Sequence, residues 1–211
     1  MTTHNHLLKF AQVSAIATLI CFAQISLAQV AVGQMAPEFS ATDVNGKVHK
    51  LSDYKGKTVV LEWVNPGCPF VKKHYVASTN MQATQKQALA RQNVVWLAVN
   101  STERNHVDYM APAALGAWMK QYGAQTTAVL MDETGNVGKA YGAKTTPHMY
   151  IINPKGQLAY AGGIDSIRTA SAADIPKASN FVNLALAELD AGKAITTTTS
   201  VPYGCSVKYK S

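Results

Sequence analysis

Thr58-Val59-Val60-Leu61-Glu62-Trp63-Val64-Asn65-Pro66-Gly67-Cys68-Pro69-Phe70 is the stretch of this 211-residue chain on which the reading of its fold turns. Residues 58–64 are a near-continuous apolar run, rich in β-branched side chains, of the kind that fills a central strand covered on both faces. Asn65-Pro66-Gly67 breaks the run. Pro69 then suits the first turn of a helix, where its missing N–H costs nothing. Cys68 stands between strand and helix. Unpaired N–H groups and the macrodipole at a helix start favour an anion, so its thiol is expected to be partly ionised and open to attack from outside. Lys72, one turn on, adds positive charge; otherwise Lys72 and Lys73 read as solvated helix residues. Packing is a common role for a free cysteine, but a loop position at a helix start suits it poorly.

Upstream, residues 39–43 and 47–51 are short extended segments joined at Val44-Asn45-Gly46, where Asn-Gly favours a tight hairpin turn. Downstream, residues 69–92 switch to a helical period, with a break near Ser78-Thr79-Asn80. Residues 93–100 form a second buried strand, residues 112–122 an amphipathic helix stopped at Gly123, and residues 126–132 a third strand. A short helical turn at 137–141 precedes a fourth strand, 148–152. That strand ends in the turn Asn153-Pro154-Lys155-Gly156, and 157–161 returns antiparallel. Residues 179–190 are helical and end before Gly192, whereas 194–211 have no helical period. This order predicts a single α/β domain with a central mixed sheet flanked by helices.

Lys9, the apolar run 10–23 and the small residues Ser26-Leu27-Ala28 form the pattern of a cleaved secretion signal over residues 1–28. Gln12, Ser14 and Thr18 interrupt the run too often for a membrane span, which needs roughly 20 consecutive apolar residues. The expected location is therefore periplasmic or secreted. The chain has 19 Lys and Arg against 12 Asp and Glu, a net charge of +7; loss of Lys9 would leave +6. These charges are scattered, with neither a basic helix face nor interleaved aromatics, which argues against nucleic-acid binding. Of three cysteines, Cys21 leaves with the signal. Cys68 and Cys205 remain, an even pair that in an oxidising compartment suits a disulfide, catalytic or structural.

Several segments resemble the thioredoxin-like redoxins, specifically the peroxiredoxin-like branch of the alkyl hydroperoxide reductase/thiol-specific antioxidant (AhpC/TSA) family. They are, in order, Val32-Gly33-Gln34-Met35-Ala36-Pro37-Glu38-Phe39, Leu51-Ser52-Asp53-Tyr54-Lys55-Gly56-Lys57 and Glu62 to Phe70. The resemblance covers residues 33–190, leaving 191–211 as a tail that carries Cys205. It implies a thioredoxin fold with an N-terminal β-hairpin extension. Thr145-Thr146-Pro147-His148 matches the loop that in such proteins carries a cis-proline beside the reactive sulfur; Thr146, Pro147 and Pro69 are the implied substrate-binding residues. Glu62, six residues before the cysteine, stands where thioredoxins have a proton-moving carboxylate. An apolar strand demands that such a group have a raised pKa, a partner or a proton-handling task, so a general acid/base role and a salt bridge to a nearby lysine both stand.

Departures from the family are specific. Val71 occupies the place of the second cysteine of a local dithiol. Asn65 and Leu61 replace the threonine and proline that peroxiredoxins put before their cysteine. Of Arg91, Arg104 and Arg168, only Arg168, beside the late hairpin, suits an arginine near a peroxide. Cys205 lies in Pro202-Tyr203-Gly204-Cys205-Ser206-Val207-Lys208-Tyr209, which also resembles this branch. The residues between Asp190 and Cys205 can span ~45 Å when extended, enough to return Cys205 to Cys68 as the resolving thiol. His74 and His148 beside Cys68 resemble parts of a thioredoxin-fold copper site, but Lys72 occupies the place of its second cysteine; no metal or other cofactor is expected. The implied function is an exported thiol oxidoreductase: Cys68 attacks a peroxide or a disulfide, Cys205 resolves, and an external thiol reductant restores both. The alternative is a non-catalytic accessory protein of the same fold with a structural Cys68–Cys205 disulfide. Nothing in the sequence sets an oligomeric state.

Overall fold

Successive side chains of residues 58–63 leave on opposite faces of the backbone, and all six are buried, so this strand must be sandwiched. The computed structural model describes residues 30–210, and the expected signal at 1–28 lies outside them. In chain order, a hairpin of β1 (Ser40–Asp43) and β2 (Val48–Lys50) precedes β3 (Thr58–Trp63), α1 (Pro69–Tyr75) and α2 (Asn80–Leu89). Next come β4 (Val94–Asn100), α3 (Pro112–Gln121), β5 (Ala128–Met131) and α4 (Asn136–Tyr141). Then follow β6 (Thr145–Thr146), β7 (His148–Ile152), β8 (Leu158–Gly162), α5 (Phe181–Asp190) and β9 (Cys205–Ser206).

Seven strands form one sheet in the order β2-β1-β5-β4-β3-β7-β8. β4 pairs parallel with both β3 and β5, while β7 runs antiparallel to β3 and β8 to β7. This is the mixed sheet the sequence predicts, with β3 between β4 and β7, and the architecture is thioredoxin-like. The opening hairpin is more than an appendage: β1 pairs antiparallel with β5 through Thr42 and Met131, extending the sheet and covering an edge that would otherwise be bare. Its buried Asp43 is held by His49, 2.9 Å away, and by the Asn45 and Lys47 N–H groups. β6 and β9 form a separate two-stranded sheet that the sequence reading did not anticipate.

Val59, Leu61 and Trp63 face a core shared with Val95, Leu97, Val99 and Tyr141 of α4. Val60 and Val64 face the other core, with Val71 and Tyr75 of α1, Met81 of α2, Leu115 of α3 and Val182 of α5. The strand-to-helix turn after β3 therefore opens at the end of the sheet where β7 begins, since Trp63 lies opposite His148. Leu61 has no exposed surface. Leu61→Ala is expected to cost about 2–5 kcal/mol of stability, read as a lowered urea midpoint at unchanged slope; a loss below about 1 kcal/mol would contradict the central placement of β3.

Candidate active site

Asn65 shapes the turn that presents Cys68. Its Oδ1 accepts the Gly67 N–H at 2.8 Å and its carbonyl accepts the Cys68 N–H at 3.0 Å. Cys68 is the N-cap of α1, with extended backbone and Pro69 as the first helical residue, as the sequence predicts. Its thiol donates to the Thr146 carbonyl at 3.0 Å, and its sulfur accepts the Cys205 N–H at 3.4 Å. The Thr146–Pro147 bond is cis. Cys68, Cys205, Thr146 and Pro147 are thus brought together, with Pro69 exposed at the rim. The expectation of an open thiol fails, because Cys68 is only 2% exposed. The tail lies over it, and the neighbouring Gly67 and Pro69 remain exposed.

The tail is no loose tether. It first runs along β8, where the Ala161 N–H donates to Thr198 at 3.1 Å and the Ser200 N–H to Ala161 at 3.3 Å. β9 then pairs antiparallel with β6, placing Cys205 opposite Thr146. Gly204 makes this possible. Its φ is +140°, where side chains rarely go, and a methyl on its Cα would run into the Thr146 carbonyl. Beyond β9, the Val207 N–H donates to Lys144 at 3.0 Å, Lys208 accepts from the Glu103 N–H at 2.9 Å, and the Tyr209 hydroxyl donates to Ala143 at 2.8 Å.

The two sulfurs are tuned in opposite directions. Burial pushes the Cys68 thiol up, but the Cys205 thiol and N–H and the Val71 N–H in the first turn of α1 more than offset it, so its pKa is lowered. Lys72, expected to help, is not among the main causes of that lowering. Burial, followed by the hydrogen bond to Cys68 and the Cys68 charge, pushes Cys205 up to about 11. Cys68 is thereby the more readily ionised of the two thiols, and Cys205 holds its proton to higher pH.

Behind α1 lies a cluster that sequence reasoning missed. Lys73, expected in solvent, is 1% exposed. Its ammonium donates to the Ile167 carbonyl at 3.2 Å and the Tyr203 hydroxyl at 3.4 Å, and lies 3.8 Å from Asp165. Tyr203 donates to Asp165 at 2.6 Å and lies 3.1 Å from His74 Nε2. Asn80 Nδ2 meets His74 Nδ1 at 2.8 Å. These contacts assign one donor direction, Asn80 to His74 to Tyr203 to Asp165, with His74 neutral and protonated on Nε2. Burial and the neighbouring Lys73 charge hold His74 down at about 3, which agrees with that assignment. Both His74 nitrogens are thereby occupied, and His148 Nδ1 lies 3.2 Å from both the Lys144 N–H and the Tyr150 hydroxyl. Among the described residues, no three His, Cys, Asp or Glu side chains gather as a metal site. Arg91 pairs with Asp190, Arg104 with Glu133, and Arg168 is exposed.

Glu62 has no exposed surface and, among the described residues, no lysine partner, so the salt-bridge expectation is corrected. Its carboxylate accepts from the Tyr75 hydroxyl at 2.8 Å, Trp96 Nε1 at 2.8 Å and Gln85 Nε2 at 3.0 Å, tying β3 to α1, α2 and β4. None of its hydrogen bonds reaches either cysteine or the proline loop. Burial outweighs these donors and raises its pKa to about 7. A carboxyl whose folded pKa lies above its unfolded value contributes stability below the unfolded pKa and loses it as pH rises through the folded one. The contribution of Glu62 should therefore decline between about pH 4.5 and 7, by on the order of 3 kcal/mol, against the opposite slope of the buried neutral His74. Glu62→Gln, which can still accept from Trp96, removes that contribution, so the stability of the variant relative to wild type should rise by that amount across this window in urea titrations at stepped pH. A difference between the two that does not change with pH would contradict the raised pKa of Glu62.

The AhpC/TSA family model matches residues 32–161. Over 129 residues the chain is 33% identical to the thiol-disulfide oxidoreductase ResA of Bacillus subtilis (strain 168), a match covering 61% of this chain and 65% of that protein. The ResA of Geobacillus kaustophilus (strain HTA426) is 29% identical over 129 residues, 61% of this chain and 67% of its own length. The matched segment thus spans about two thirds of these curated relatives. Two solved structures superpose with a TM-score of 0.72: a hypothetical protein from Sinorhizobium meliloti 1021, 24% identical over 87% of this chain and 97% of its own, and an uncharacterized conserved protein from Geobacillus kaustophilus, 27% identical over 85% and 93%.

Proposed function

The chain belongs to the AhpC/TSA family, and from that premise we propose that it is an exported thiol oxidoreductase with peroxiredoxin-like antioxidant chemistry, in which Cys68 attacks and Cys205 resolves. The observation that carries this reading is the backbone contact of Cys205 with the Cys68 sulfur, together with the opposite tuning of the two thiols. Thiol-disulfide oxidoreductases among the relatives support the reaction class. The signal-like residues 1–28 support action outside the cytoplasm.

With a hydroperoxide, the Cys68 thiolate takes the terminal oxygen, the O–O bond breaks, and the alcohol or water leaves after gaining a proton. Sulfenic Cys68 then condenses with Cys205, forming the S–S bond and releasing water. With a disulfide, Cys68 bonds to one sulfur and the other leaves as thiolate; Cys205 next attacks Cys68 and expels the second thiolate. An external dithiol reduces the Cys68–Cys205 bond and is itself oxidised. The order is built into the charges. While Cys68 is anionic it helps keep Cys205 protonated, and its oxidation removes that charge, so Cys205 becomes easier to ionise only when it is needed. Glu62, bonded away from both sulfurs, acts on the scaffold under this reading.

The burial of Cys68 favours a second reading, a non-catalytic accessory protein with a permanent Cys68–Cys205 disulfide. Its reduction potential would lie below about −300 mV, and that of a catalytic pair above it. Mixing reduced protein with hydrogen peroxide or a model disulfide should oxidise Cys68 and then yield the intramolecular bond, followed by mass spectrometry. Cys205→Ala should stop at sulfenic acid or mixed disulfide, and Cys68→Ser should not react. Oxidation no faster than that of free cysteine would sink the catalytic reading.

A further inference from the structure

β6 is two residues long, leads into the cis Thr146–Pro147 bond, and offers its backbone beside the reactive sulfur. An extended cysteine-bearing peptide that reached Cys68 along this edge would have to pair with Thr145 and Thr146. That pairing is already taken by Ser206 and Cys205 of the chain's own tail. The resident strand is held on both sides: upstream by Tyr203, which sits 7% exposed against Phe70 and is bonded into the Lys73, His74 and Asp165 cluster, and downstream by Val207 and Tyr209. Asp165 Oδ2 has no hydrogen-bond partner but lies within 4 Å of both Lys73 and His74, so the cluster's charges converge where the Tyr203 hydroxyl docks.

We infer that the tail is a built-in occupant of the strand-pairing edge, latched by Tyr203, and that it restricts Cys68 to small oxidants, hydroperoxides and low-molecular-weight disulfides, while shutting out disulfides carried on extended polypeptide. This rests on the proposed thiol chemistry and names its substrate class. The balance of atoms is that given above: a small disulfide leaves as two thiols while Cys68 and Cys205 become one disulfide. Gly204 sets the stringency. The resident strand approaches Thr146 closely only because its residue before the cysteine has no side chain, so a displacing peptide would need glycine at that place.

The test compares two substrates with the same leaving group, hydroxyethyl disulfide and an extended peptide whose cysteine is held as a mixed disulfide with mercaptoethanol. Loss of the Cys68 thiol is followed in single turnover. Wild-type protein should react about 100-fold faster with the small disulfide, the penalty for a peptide denied the backbone hydrogen bonds of an occupied edge. Gly204→Ala, which blocks the seat of β9, and Tyr203→Phe, which releases the latch, should each reduce that ratio about tenfold. Cys205→Ala, which keeps the strand and removes only its sulfur, should retain the discrimination, a result that a purely resolving tail would not give. Should Gly204→Ala prove unfolded by circular dichroism, Tyr203→Phe carries the test. Equal rates for the two substrates in wild type, or a ratio unmoved by the folded variants, overturn this inference alone. If neither substrate reacts with any form, the thiol chemistry falls as well.

Discussion

A backbone amide from the tail donates to a sulfur at the start of the first helix after the central strand, and the site is organised around that contact. It couples two requirements that usually conflict. A thiol covered by protein resists ionisation, because desolvation penalises the charged form. A thiol in solvent ionises more readily but meets every oxidant. Here the group that covers the sulfur also supplies donors that stabilise its anion, so burial and acidity are obtained from one segment. The coupling needs a strand pressed against Thr146 at close range, which is why a glycine precedes Cys205 and why β6 ends in the proline loop.

The buried polar cluster behind α1 has a related logic. A lysine ammonium without water is expensive unless its donors are met. Lys73 finds the Ile167 carbonyl, the Tyr203 hydroxyl and the Asp165 carboxylate, while neutral His74 completes the network without adding charge. Apolar packing at the same place would serve stability about as well, but it would accept the tail in many registers. Directional bonds that converge on one hydroxyl accept it in one, and that hydroxyl lies two residues from the second cysteine.

Much of this fold was legible in the sequence because it rests on local signals. The apolar run at 58–64, the Asn-Gly turn, Pro69 after Cys68 and the turn at 153–156 each mark an element within a short window. The two cysteines that the fold brings together were legible too, since no other cysteine follows residue 28. Hidden features depend on distance along the chain. Strands of two residues carry no periodicity, so β6 and β9 look like loop until they are seen paired. Lys73 beside Lys72 reads as a solvated face, because Tyr203, which turns it inward, lies 130 residues away. Glu62 declared itself as a buried carboxylate. Its partners Tyr75, Gln85 and Trp96 look in sequence like ordinary helix and strand residues, so a lysine salt bridge and a proton-handling task stood equally open.

Cys205 follows Cys68 by 137 positions, a separation that also sets a timetable. At ribosomal rates of about 5–20 residues per second, Cys68 and its helix are made on the order of ten seconds before the amide that covers them. For that interval the thiol is uncapped, and once Thr146 has been made an unpaired strand edge joins it, both of them features that capture stray partners. A chaperone or a reducing environment during synthesis would therefore matter more to this protein than the depth of its finished core suggests.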